Sequence, residues 1–221
     1  MLMKILQYDY ILKALNLPTV EWGEYDSCSQ LDSNLLWSIK VEEVSQKDSK
    51  KEEKKKCTLF EFIKGITDRE QNNTNALIGV DANSVQQFAK KKQKTINKKK
   101  QAMIYYPYYT VVKSGIVDIN QERTVIEGTK GDIANLIQKN EVEVTMIFEK
   151  EDLTMKGDER FFSSEEMIPI IDYSKEIRKM VVKDLEQKKN IQLYFSYVYK
   201  TDVCLQPKGQ LRLIFYQFKI F

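Results

Sequence analysis

The sequence predicts an α+β fold: a mainly antiparallel sheet with several amphipathic helices, forming a single compact domain over residues 1–221. Three observations carry that reading. Apolar residues recur every three to four positions in some segments and every second position in others. The β-type segments come as hairpin pairs, without the regular strand–helix alternation that a parallel sheet needs. The chain is also 42% hydrophobic with only 8 Gly and 4 Pro, too apolar for disorder and too poor in turn formers for a fibre.

Ile5, Tyr8, Leu12 and Leu15 lie at helical spacing and Pro18 closes the pattern, so the chain opens on a helix. From Leu35 the period becomes two. Leu35, Trp37, Ile39 and Val41 face one way and Ser38, Lys40 and Glu42 the other, as in a half-buried strand. Residues 45–57 form a mobile charged loop, because Lys47 to Lys56 holds no apolar residue and cannot repay the entropy of ordering. Thr58 and Glu61 make a capping-box pattern before the stripe Leu59, Phe62, Ile63 and Ile66. A polar connector, Gln71 to Asn75, leads to a short strand at Leu77–Val80.

Asp81 to Gln101 reads as a second long helix, with Val85, Phe88, Ala89, Ile96 and Met103 in one arc. Lys90, Lys91, Lys94 and Lys98 lie roughly opposite, while Lys92 and Lys99 snorkel from the edge of the apolar stripe. Met103–Lys113 is β-rich and Ser114-Gly115 is a turn signal. Ile116–Ile119 and Arg123–Glu127 form a hairpin around Asn120-Gln121. After Gly128-Thr129-Lys130-Gly131 comes a short helix carrying Ile133, Leu136 and Ile137, then an alternating strand from Val142 to Phe148. Glu149 to Glu166 is a long polar connection. A helix at Asp172–Lys189 and a hairpin turning at Pro207-Lys208-Gly209 close the chain.

The absence of histidine excludes Ser-His-Asp and Cys-His nucleophiles and any histidine-ligated metal. Cys28, Cys57 and Cys204 include no C-x-x-C pair, so neither a zinc site nor a redox pair is indicated, and isolated thiols suit a reducing compartment. With Lys4, Gln7 and Asp9 interrupting the N-terminal segment, and no long apolar run elsewhere, the expectation is a cytoplasmic protein without a membrane partner.

Thirty-five Lys and Arg against 32 Asp and Glu leave a net charge of only +3, but the charges are unevenly placed. From Ala89 to Tyr109 the chain has seven lysines and no acid, whereas Lys139 to Glu166 has four bases and nine acids. A lysine face tracks phosphates, and tyrosines beside it can stack on unpaired bases, each stack contributing about 1–3 kcal/mol. The main reading is therefore a non-catalytic nucleic-acid-binding protein for single-stranded nucleic acid or an RNA backbone, within a larger nucleoprotein complex. Its contacts would be Lys90, Lys91, Lys94, Lys98, Lys99, Lys100, Tyr105, Tyr106, Tyr108 and Tyr109, with Lys130 added from the Gly128–Gly131 loop. The G-x-x-G spacing of that loop resembles the backbone-clamping loop of KH RNA-binding domains, which joins two helices, whereas Thr124-Val125-Ile126 here reads as a strand.

Two other readings stay open. Asp118, Glu127, Glu141 and Glu143 could share a sheet face and hold Mg²⁺ for phosphodiester cleavage; otherwise no cofactor is expected. Alternatively the chain is a structural subunit that meets a protein partner through its C-terminal strands, where Tyr194, Tyr197 and Tyr199 look exposed.

Overall fold

A computed structural model describes residues 11–26, 29–43, 76–96, 101–149, 152–181 and 190–221. After helical residues at 11–14, the elements are β1 (Gly23–Glu24), β2 (Trp37–Glu43), β3 (Ala76–Val80), α1 (Ala82–Gln93), β4 (Gln101–Pro107), β5 (Tyr109–Ile119), β6 (Arg123–Lys130), α2 (Ala134–Lys139), β7 (Val144–Glu149), β8 (Asp152–Gly157), α3 (Ser164–Met180), β9 (Ile191–Thr201) and β10 (Pro207–Ile220). They build two antiparallel sheets accompanied by helices, an α+β fold. The expected charged loop at 45–57 and the helix after it lie outside the described residues. So do Cys28 and Cys57.

The chain divides into two compact units. The first comprises described residues within Glu21–Thr110 and Tyr199–Gln210, the second those within Gln7–Val20, Val111–Val198 and Leu211–Phe221. In the first, a four-stranded sheet runs in the order β1-β4-β2-β3. The β2–β4 register sets Ile39 against Tyr105 and Val41 against Met103. That face, with Trp37, packs against Ala82, Val85, Phe88 and Ala89 of α1. The opposite face is covered too, for Ser38 is 1% and Lys40 6% exposed. From Trp37 to Lys40 the strand is thus buried on both sides, not on one as its polar alternation predicts.

In the second unit the N-terminal helical turn ends at Asn16, in the left-handed conformation (φ 55°), and Leu17 N–H donates back to Leu12 O. It therefore stops before Pro18 is reached. The six-stranded sheet has the order β10-β9-β5-β6-β7-β8. Asn120 makes the β5–β6 turn, its Oδ1 accepting from Glu122 N–H and Arg123 N–H. Ser114 and Gly115 form no turn but lie inside β5. Ser114 Oγ donates to Gly131 O at 2.7 Å and shares a 2.8 Å hydrogen bond with Ser196 Oγ. At Gly115 a Cβ would stand 2.4 Å from both the Glu127 carbonyl oxygen and the Phe195 ring.

α3 covers the core face of this sheet, burying Ile170 and Ile177 on Val117, Ile126, Val144 and Met146. It begins at Ser164, before the expected Asp172, because Ser163 and Glu166 form a full capping box. Glu166 also receives a hydrogen bond from Lys113 Nζ of β5 at 2.6 Å, and the same ammonium donates to Phe161 O at 2.7 Å. The connection expected at Glu149–Glu166 contains an element of its own, β8, paired to β7 from Glu149–Asp152 to Val144–Gly157. At the C-terminus the turn falls at Asp202–Gln206, where Asp202 Oδ1 accepts from Cys204 N–H and Gln206 N–H. Pro207-Lys208-Gly209 already belongs to β10.

Candidate nucleic-acid interface

α1 starts at an aspartate cap: Asp81 Oδ1 accepts from Ser84 N–H at 2.8 Å, and that backbone bond holds the Asp81 carboxyl below the usual aspartate range. The helix has 12 residues, fewer than the periodicity predicts, with Lys94 as C-cap. Thr95 ends it locally, donating from its N–H and its hydroxyl to Lys92 O. Ile96 and Met103, expected on its apolar stripe, therefore lie beyond the helix, with Met103 on β4.

No acidic residue occurs in α1, and Lys90, Lys91 and Lys94 are exposed and without an ion-pair partner among the described residues. At 100° per residue they share an arc of about 100°. Crowding at this end is eased by the negative pole of the helix dipole. Lys92 behaves as predicted for the stripe edge: it is half-buried, with its ammonium 5.7 Å from the Phe88 ring centroid. Lys98, Lys99 and Lys100 lie outside the described residues.

The tyrosines do not form one bank, since successive strand residues point to opposite faces. Tyr105 joins the core under α1, edge-on to Trp37 at 5.7 Å and to Tyr25 at 6.1 Å. Tyr106, on the other face of β4, is buried at 8% exposure. Tyr108 is half-buried with its ring over Gly79, which adopts φ +61°. Tyr109 is half-buried at the start of β5. Burial also raises the pKa of the Tyr25 phenol.

Lys130 belongs to the second unit, exposed at the end of β6 and directly opposite Lys113 in the ladder. Gly128, Thr129 and Lys130 are strand, and only Gly131 (φ +65°) turns. Glycine at 128 answers to packing, for a Cβ there would stand 2.7 Å from the Phe162 ring. Of the carboxylates, Asp118 accepts from Gln192 Nε2 at 2.9 Å, and Glu127 is half-buried opposite Ile116. Glu141 and Glu143 precede β7 instead of sharing its face. Asn140, left-handed at φ 55°, reverses the chain there, and Glu141 lies 3.9 Å from Lys139. Among the described residues no three acidic or thiol side chains gather closely enough to hold a metal. Tyr194 and Tyr197, expected to be exposed, are buried at 5% and 4%, because β9 is covered on both faces.

One feature went unread in the sequence. Between α3 and the β6–β8 end of the sheet lies an open groove of about 1360 Å³, floored by Ile126, Phe148 and Leu153 and flanked by Lys175, Arg178 and Glu149. Arg178 is already engaged, donating to Gln121 O and Thr124 Oγ1.

No protein-family model matches the chain, and no curated protein matches it. Among solved structures it is similar to the crystal structure of PH1788 from Pyrococcus horikoshii Ot3, with a TM-score of 0.45 and 13% identity over 97% of this chain and 88% of that one. No described helix is long and apolar enough to cross a membrane.

Proposed function

We propose that this chain is a non-catalytic nucleic-acid-binding protein that holds the phosphate backbone of single-stranded nucleic acid or RNA within a larger assembly. The observation that carries the reading is the arc of Lys90, Lys91 and Lys94, exposed on a helix with no acid and without ion-pair partners among the described residues. Lysines of this kind act as point charges that track phosphates without reading bases. In this reading stacking falls to Tyr108 and Tyr109, since Tyr106 is buried and Tyr105 packs in the core.

Fluorescence anisotropy with labelled single-stranded RNA and DNA at ~50 mM salt tests the proposal. Binding is expected to weaken as salt rises, and the Lys90→Glu/Lys91→Glu/Lys94→Glu variant is expected to lose it with its circular dichroism unchanged. No retention of either nucleic acid, or equal binding by the triple variant, overturns it.

A further inference from the structure

The six-stranded sheet has two outer strands, and they differ. β10 already has a neighbour: Phe215 N–H donates to Pro18 O at 2.7 Å, and Thr19 bridges to Phe215. β8 has β7 on one side and no described strand on the other. Five of its six residues are exposed, with Met155 intermediate. An open edge of this kind presents backbone donors and acceptors to another strand.

We propose that β8 pairs with β8 of a second copy of this chain, antiparallel about a two-fold axis at Thr154, so that the two six-stranded sheets run on as one. The strand is complementary to itself in this register. Asp152 of each copy lies opposite Lys156 of the other, Leu153 opposite Met155, and Thr154 opposite Thr154. Opposite charges, apolar pairs and threonine pairs are the combinations that stabilise facing strands. The symmetry makes the ion pair twice, as an isologous interface requires. Sliding the copies so that Met155 faces Met155 would lose both ion pairs and set Asp152 against Asp158. Alternation also puts the apolar pairs on the core side. There Met155 packs against the core and Leu153 is left 43% exposed, so pairing would cover the one large apolar side chain that this edge shows to solvent.

Sedimentation equilibrium on the full chain, freed of nucleic acid by nuclease treatment, tests the pairing. The wild type is expected to show a dimer that dissociates on dilution. Asp152→Lys and Lys156→Asp each turn two attractions into two repulsions and should raise the dimer dissociation constant about tenfold. The double variant Asp152→Lys/Lys156→Asp restores opposite charges in both pairs and should return it close to wild type. Recovery in the double variant also separates interface loss from misfolding. A monomer at the highest soluble concentration overturns the proposal. So does a dimer indifferent to the single variants, or one that the double variant fails to restore.

Discussion

At the residue scale, Gly115 sits in mid-strand where the Glu127 carbonyl and the Phe195 ring leave no room for a methyl group. Neither neighbour can yield cheaply, since one is backbone and the other a fully buried ring. Gly115→Ala should therefore destabilise the protein by about 1–3 kcal/mol, read as a lower urea midpoint at unchanged slope. Tyr197 supplies a second prediction. Its hydroxyl donates to Glu166 O, and burial, with the nearby Glu166 charge, pushes its phenol far above the ordinary value of 10.0. Burial does the same to Tyr216. A raised folded-state pKa favours the neutral phenol, so this contribution is complete below pH ~10 and is lost as pH climbs toward the folded value. In an alkaline absorbance titration both phenols should ionise only together with unfolding. Tyr197→Phe should lose about 1 kcal/mol at neutral pH and show a shallower decline above pH ~10. Ionisation of both phenols in the folded protein would refute the assignment.

At the element scale, α3 is fixed to the sheet by a cluster at its first turn. Glu166 closes the capping box, accepting from Ser163 N–H at 2.8 Å, and pairs with Lys113, whose ammonium lies 5.3 Å from the Phe161 centroid. The Lys113 side chain keeps 21% exposure, so Glu166→Ala should fall toward the low end of the cost of breaking a buried pair, about 3 kcal/mol. Lys113→Met/Glu166→Gln should be less damaging than the sum of its single changes, with a coupling of about 1–3 kcal/mol from chemical denaturation. Additive single changes would show that the ion pair contributes nothing. The start of this helix was legible in Ser163-Ser164-Glu165-Glu166, but the surrounding charge made the segment read as a connection. β8 was hidden for a similar reason. It holds only two apolar side chains, Leu153 and Met155, because an outer strand needs few. Elements with a strong apolar period, such as the β5–β6 hairpin and Ile191, Leu193 and Phe195 of β9, were plain from sequence, though Tyr197 of the same face was not.

At the scale of the whole molecule, a net charge of +3 conceals the lysine arc on α1. If that arc holds a single-stranded backbone, three phosphate contacts should give a slope of log affinity against log salt of roughly −2. Neutralising one of the three lysines, as in Lys91→Gln, should flatten that slope by about 0.7, which an anisotropy titration across salt would record. A slope unchanged by the neutralisation would place the binding charges elsewhere. The two units carry separate apolar clusters, one gathered under α1 and the other between α3 and the six-stranded sheet.

The sequence by itself determined the fold class, most strands and the exposure of the lysine arc, because those follow from the period of apolar residues and from charges that must stay in water. It also placed the start of α1 at Asp81, whose cap depends on a bond spanning only three residues. Tertiary structure alone decided which polar and aromatic residues are buried. Lys40, Tyr106, Tyr194 and Tyr197 look like surface residues in an alternating strand, and they are buried because both faces of their strands are covered. The same holds for Ser114-Gly115 and Gly128, where glycine and serine answer to a ring or a hydroxyl some thirty to eighty positions away. Local pattern records how one strand divides its two faces, but not what the rest of the chain brings against each of them.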